Sequence, residues 1–173
     1  SNNVALGRQA LYFNETNNNV GIGYQALYYT NTGANNVAIG YGVMLNNSIG
    51  QSNVSIGYQT LYDSTSGSYN VAIGFRSLRY STTVGSNVGV GSFSGYSNTT
   101  GIRNTSIGHA AGYSNLISNG NTSVGYESAY YITGSDNTYV GSLAGRGGTG
   151  AGGGVSNVAI GSNALYENQS GSN

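Results

Sequence analysis

This chain has no cysteine, proline, lysine or tryptophan, and only 6% of its 173 residues are charged. The lack of cysteine excludes a disulfide scaffold and thiolate metal sites. Five arginines balance five acidic residues, so no basic cluster is present to neutralise phosphates or to dock on an anionic membrane. We therefore expect no nucleic acid and no membrane surface among its partners.

Long apolar runs are missing as well. The sequence has no apolar stretch of 18 residues and no basic segment followed by a signal-peptide core, so we expect no membrane insertion by this segment. Its five acidic residues are scattered, and the one histidine, His109, occupies a position that other repeats fill with an aromatic ring. Neither a catalytic group nor a metal site has a recognisable spacing. The sequence predicts no enzyme activity, no cofactor and no metal.

The abundant residues, among them 30 glycines and 16 tyrosines, follow a period. A phrase of the type Asn-Val-Ala-Ile-Gly occurs ten times. The asparagines that open it are Asn3, Asn19, Asn36, Asn53, Asn70, Asn87, Asn104, Asn121, Asn137 and Asn157. The closing glycines are Gly7, Gly23, Gly40, Gly57, Gly74, Gly91, Gly108, Gly125, Gly141 and Gly161, spaced 16, 17, 17, 17, 17, 17, 17, 16 and 20 residues apart.

Each position of the phrase has its own chemistry. The second residue is Val or Thr and the fourth is Ile, Val or Leu; because residues two apart share one side of a strand, they form an apolar face. The third residue is small except for Tyr139, and we expect it on the opposite face, where another backbone approaches closely. The final glycine lets the chain turn where a Cβ would clash. The asparagines are expected to form a ladder of amide hydrogen bonds along the stack.

The period defines the architecture. The second half of a repeat, such as Tyr24-Gln-Ala-Leu-Tyr28, predicts a further short extended stretch or a turn, and a Ser/Thr/Asn/Gly segment follows it. Two short segments and two turns in about 17 residues fit one coil of a β-solenoid and are too short for a helical repeat or a propeller blade. We predict an all-β chain in which residues 1–173 form a single solenoid domain of ten coils, roughly 48 Å long.

Other patterns have simpler explanations. Residues 21–26 match the spacing of a dinucleotide-binding loop, but no βαβ unit surrounds them, and the glycine-rich run 145–154 lacks the lysine of a phosphate-binding loop. We interpret that run as an insertion between coils. The five arginines are interpreted as solvated or as contacts between chains. Glycosylation sequons at Asn53 and Asn121 follow from the composition.

Tyrosines recur at two positions of the repeat. One function for them is a stripe of rings that stack on sugars, and the alternative is an aromatic ladder that packs ring on ring. The candidate glycan-stacking residues are Tyr28, Tyr62, Tyr96, Tyr113 and Tyr130.

The phrase Asn36-Val-Ala-Ile-Gly40, with partners such as Tyr24-Gln-Ala-Leu-Tyr28, resembles the head repeats of YadA-like trimeric autotransporter adhesins, and nearly the same phrase occurs in phage tail fibres. The resemblance covers essentially the whole chain. It implies a left-handed parallel β-roll, three chains around a common axis, and attachment to a host surface. It also implies an extracellular location, on a cell surface or in a virion tail fibre.

Energetics also favour assembly, since one coil buries few large side chains of its own. A three-fold bundle would bury the small-residue faces and the open strand edges; a monomeric solenoid is the alternative. The chain begins and ends in register with the repeat, so we expect a segment of a longer array or a subunit that stacks end to end.

We therefore expect a structural and adhesive segment of an extracellular fibre. Its partners would be itself, as a homotrimer or filament, and a host-surface glycan or protein receptor. The alternatives are a glycan-binding module that uses the tyrosine stripes and a subunit of an extracellular filament assembled end to end.

Overall fold

The computed structural model describes residues 2–83, 85–147 and 154–167. These ranges contain no helix, and their ten strands form one parallel sheet in chain order. The strands are β1 (Val4–Leu6), β2 (Val20–Ile22), β3 (Val37–Tyr41), β4 (Val54–Tyr58), β5 (Val71–Phe75), β6 (Val88–Val90), β7 (Thr105–Ile107), β8 (Thr122–Val124), β9 (Thr138–Val140) and β10 (Val158–Ile160). The predicted all-β solenoid is confirmed.

The register places each residue beside its equivalent in the next coil. Val37 pairs with Val54 and Ile39 with Ile56, so every position of the repeat becomes a column along the solenoid. The irregular spacings leave this register intact, since Thr138 pairs with both Thr122 and Val158. The three additional residues of the longest spacing therefore fall between the strands, where residues 148–153 of the glycine-rich run lie outside the described residues.

The small third residue of each strand points into the solenoid. Ala38, Ser55 and Ala72 are fully buried, and the core beside them contains long side chains such as Leu61. The expectation that the small-residue face packs against another chain is therefore wrong. Only small side chains fit there because leucines from the same chain fill the narrow interior; a Cβ on Gly21 would already lie 3.0 Å from Leu11 Cγ.

Within the described residues, the second half of the repeat forms a turn and contributes no second strand. In the coil that contains Gln25 and Leu27, both residues are left-handed, with φ of 53° and 54°, and the side chain of Ala26 between them is buried. A left-handed L-residue costs about 1–2 kcal/mol. Hydrogen bonds to the neighbouring coil, such as Leu27 N–H to Val43 O at 3.0 Å, help to offset that cost.

Glycine is required where the strand phrase ends. Gly40 has φ of +132°, and a Cβ at this position would collide with the carbonyl oxygen of Gly57 in the next coil. The predicted role of these glycines is confirmed: the backbone conformation and the stacking both exclude a side chain.

Tyr139, the exception among the small residues, also points inward and is 3% exposed. Its ring occupies the space over Gly145, where a Cβ would overlap it. In three coils whose third residue is small, Leu27, Leu61 and Leu78 occupy the position of Gly145. A large side chain from the strand has thus replaced a large side chain from the turn, so the interior remains filled.

Candidate functional site

The ten opening asparagines form a column, buried from Asn19 onward, which we call the asparagine column. From Asn19 onward, the backbone N–H of each asparagine donates to the Oδ1 of the asparagine one coil earlier, at 2.8–3.0 Å. The side-chain amide in turn donates to a turn carbonyl, as Asn36 does to Gly50 O at 2.9 Å. Burial of Asn53 and Asn121, each 1% exposed, leaves both sequons inaccessible to glycosylation in the folded chain.

The second and fourth residues of the strand phrases point outward and form the surface that we call the strand face. Val54, Ile73 and Ile107 in its middle are 37%, 36% and 39% exposed, and Ile160 near one end is 71% exposed. All twenty residues of this face are Val, Ile, Leu or Thr, so it carries no charge.

Two columns of rings run along another part of the surface. The first aromatic column follows the strand glycines. Tyr24, Tyr41, Tyr58 and Phe75 stack there with centroids 5.0–5.2 Å apart and ring planes within 18° of parallel. His109 continues the column on Tyr126, at 5.5 Å and 11°.

The second aromatic column lies five residues after the glycines. Tyr96, Tyr113 and Tyr130 stack at 5.0 and 4.7 Å, and Tyr28 stacks on Tyr12 at 5.4 Å. Burial among neighbouring rings raises the pKa of Tyr113 and Tyr130, so both are neutral phenols. The ring faces cover one another, and the stripe therefore offers sugars edges and hydroxyls more than open faces.

Two arginines continue this second column where a tyrosine is missing. The guanidinium carbon of Arg79 lies 5.1 Å from the ring centroid of Tyr62, and that of Arg146 lies 5.4 Å from Tyr130 and 5.7 Å from Tyr166. Planar guanidinium groups stack well on aromatic faces. These two arginines therefore belong to the ladder of their own chain, which corrects the interpretation that all five are solvated or contact other chains.

A third row, which we call the groove row, contains the residue two after each strand glycine and lies between the aromatic columns. Its side chains bridge coils: Gln25 donates to Gln9 at 3.1 Å, and Arg76 to Gln59 at 3.2 Å. Phe93 contacts both columns, since its ring lies 5.2 Å from Phe75 and 5.4 Å from Tyr96. Long side chains thus fill the groove along much of the solenoid.

Ala110 interrupts the groove row and leaves a cleft of about 240 Å³, lined by Phe93, His109, Ala110, Tyr113, Glu127 and Tyr130. The other very short residue of the row among the described coils, Gly42, leaves no such opening, because the ring of Tyr62 lies over it. The sequence signal for the cleft is a small residue in a row of long ones, and sequence reasoning on the tyrosines alone missed it.

Glu127 is the charged group of the cleft. Arg146 Nε donates to Glu127 Oε2 at 2.8 Å, and this bond holds the pKa of Glu127 below its ordinary value. The same pairing raises the pKa of Arg146. The carboxylate is therefore ionised, fixed in position and balanced by its partner.

Comparison with known proteins adds no identity. No protein-family model, curated protein or solved structure matches this chain significantly. Within the described ranges, no helix has the length and hydropathy needed to cross a bilayer, and no group of three or more His, Asp or Glu side chains is placed to hold a metal ion. The functional conclusion is therefore based on the geometry of the residue columns and of the strand face.

Proposed function

We propose that this chain is a structural and adhesive segment of an extracellular fibre, assembled as a homotrimer, and that it mediates attachment without catalysis. The strand face is the main observation that supports the proposal. It is a regular array of half-buried to exposed, uncharged, mostly apolar side chains that extends along all ten strands. An apolar surface of this extent is typical of an interaction site.

The regularity of the strand face favours a second copy of the chain as its partner. Side chains repeat along it at the spacing of parallel strands, about 4.8 Å, and a surface with the same period can contact every coil equally. No charge on either copy would have to lose its water on contact. Closed rotational symmetry, with three copies around a common axis that runs parallel to the solenoids, would cover this face without leaving an open end to the contact.

Attachment is supported by a different set of features. The chain resembles adhesin heads and tail fibres in its repeated phrase, and its outer surface beyond the strand face presents rings, hydroxyls and amides in place of charges. Such a surface suits contact with neutral partners such as glycans. The asparagine column, with a hydrogen bond at every step, supports a stiff rod that holds such contacts away from an anchoring point.

The test is the absolute mass in solution, measured by light scattering behind a sizing column. A mass of three chains supports the proposal, and a single-chain mass refutes it. A very large, polydisperse species would favour an end-to-end filament instead.

Paired variants then locate the contact. Ile73→Lys with Ile107→Lys places charges on the strand face, whereas Ile49→Lys with Ile102→Lys places them on exposed isoleucines of the turns. Ile102 and Ile107 are both 39% exposed, which makes the pairs comparable. We expect the first pair to give single chains and the second pair to retain the mass of the wild type; equal behaviour of the two pairs would exclude the strand face as the interface.

A further inference from the structure

The cleft at Ala110 opens in a groove that long side chains bridge along much of the solenoid. Phe93 and Glu127 flank it along the solenoid, and His109 and the Tyr113–Tyr130 stack flank it across the groove. Ala110 itself is 3% exposed and forms the floor. The volume, about 240 Å³, is below the roughly 300–1,000 Å³ of sites for drug-sized ligands. It therefore suits a ligand of one ring.

The lining combines apolar and polar groups. The ring of Phe93 is turned 75° from Phe75 and 87° from His109, so it lies edge-on to the first aromatic column. The carboxylate of Glu127 is an acceptor held in place by Arg146, and the neighbouring phenols and imidazole supply N–H and O–H groups. A ligand that fits must present a small apolar surface together with several hydroxyl groups.

Charge distinguishes between the possible ligands. Glu127 is paired at 2.8 Å, so its charge is already balanced within the site, and Tyr113 and Tyr130 turn their faces toward each other. A cage for a cation would instead need open ring faces and an unpaired carboxylate. The site therefore favours a neutral molecule over a cation or an anion.

From this geometry we infer that the cleft between Phe93 and Glu127 is a binding site for one neutral pyranose unit of a glycan. The inference deepens the proposed attachment function and rests on it for its biological meaning. It also replaces the view of the tyrosine stripes as a continuous sugar platform: binding is confined to the coil where the groove row is short.

Saturation-transfer NMR on the purified chain tests the inference with methyl β-glucopyranoside, methyl β-galactopyranoside and methyl N-acetyl-β-glucosaminide as probes. We expect at least one of them to bind. Choline serves as the competing probe, and binding of choline without any sugar would overturn the sugar assignment. Absence of binding by all three sugars would overturn the inference as well.

Ala110→Gln provides the decisive variant. Gln9, Gln25 and Gln59 already occupy the groove row with φ of 60°, 53° and 51°, and Ala110 has φ of 51°, so the substitution installs a residue that this backbone accepts. The new side chain fills the cleft, and we expect sugar binding to weaken at least tenfold. Undiminished binding would place the sugar elsewhere and refute the site.

Asn163→Gln is the matched control, because it introduces the same residue in the same row, with φ of 57°, on an exposed coil outside the cleft. It should bind sugar as the wild type does; a loss equal to that of Ala110→Gln would refute the cleft. The mass of each sample separates the two proposals. A multimer that binds no sugar overturns the cleft alone, whereas a single chain that binds sugar overturns the assembly alone.

Discussion

Replacement of Asn121 by alanine tests the asparagine column at one coil. The side chain of Asn121 accepts from Asn137 N–H at 2.9 Å and donates to Gly134 O at 2.9 Å, and all three residues are buried. Alanine deprives two buried backbone groups of these bonds. Each such loss costs about 1–3 kcal/mol, so we expect the coil to be destabilised by about 2–6 kcal/mol.

Asn31→Ala is the control for this experiment, because it deletes the same atoms from an exposed asparagine. Asn31 makes a single side-chain bond of 3.4 Å to Ser48 Oγ, and exposed substitutions of this kind change stability by about 0.5 kcal/mol or less. The two variants differ mainly in the burial of the substituted residue and in the number of hydrogen-bond partners that the substitution leaves unpaired.

Hydrogen exchange followed by mass spectrometry is the suitable assay, since repeat proteins open coil by coil. Each 1.4 kcal/mol corresponds to about a tenfold change in exchange, so amides near Asn121 should exchange tens to thousands of times faster in Asn121→Ala. If both variants exchange like the wild type at their own coils, the column is not a source of stability.

Three further changes probe the core, the turn and the charged pair. Gly57→Ala should lower the free energy of unfolding by about 1–3 kcal/mol more than Gly161→Ala does, as measured by thermal unfolding. Both glycines have positive φ, but a Cβ at Gly57 would meet a carbonyl oxygen of the next coil, whereas Gly161 has open space among the described residues. Equal losses of stability in the two variants would refute the clash. Tyr139→Ala should lower the free energy of unfolding by about 3–5 kcal/mol. Adding Gly145→Leu should restore at least half of that loss in urea denaturation, because it recreates the pairing of a small strand residue with a turn leucine that other coils have. No recovery would contradict the exchange of side-chain volume. The hydrogen bond from Arg146 lowers the pKa of Glu127, so the stabilisation from this pair is present above the ordinary carboxyl pKa of 4.5 and is lost as the pH falls through the lower pKa of the folded chain. Thermal unfolding of Glu127→Gln should therefore depend less on pH in that acidic range than thermal unfolding of the wild type. An unchanged pH dependence would count against the pairing.

The periodic part of this molecule could be predicted from the sequence. Ten copies of one phrase establish the number of strands, their parallel order and their register, because the fold stacks equivalent residues. The glycine at the strand end was predictable for the same reason: Gly40 and Gly57 meet in the stack, and no side chain fits between them.

Alternation of small and apolar residues did not reveal which side of the strand faces inward. Small residues such as Ala38 fill the interior because Leu27 and Leu61 project into it from turns with positive φ. Leucine and glutamine rarely adopt that conformation, so nothing in their identity predicts it. Stacking against neighbouring coils overrides the local preference.

The cleft escaped prediction for a related reason. Ala110 is unremarkable by itself, and its significance depends on Gln9, Gln25 and Gln59 at the equivalent positions of other coils. A comparison of coils within the chain, row by row, would have found two short positions, Gly42 and Ala110, of which the ring of Tyr62 covers the first. The identity of the groups around the cleft, in contrast, depends on rotamers such as that of Phe93, which the repeat pattern does not specify.

The register between coils also has an evolutionary consequence. Because Thr138 pairs with Thr122 across a 16-residue step and with Val158 across a 20-residue step, the cross-section tolerates length changes only between strands. Duplication or loss of one whole repeat in the gene would keep the register of the remaining columns and alter the rod by a single increment of about 4.8 Å. A deletion within Asn-Val-Ala-Ile-Gly would instead misalign all the columns at once. Such a protein can change its reach in discrete steps by unequal recombination, while the alignment of its columns stays the same.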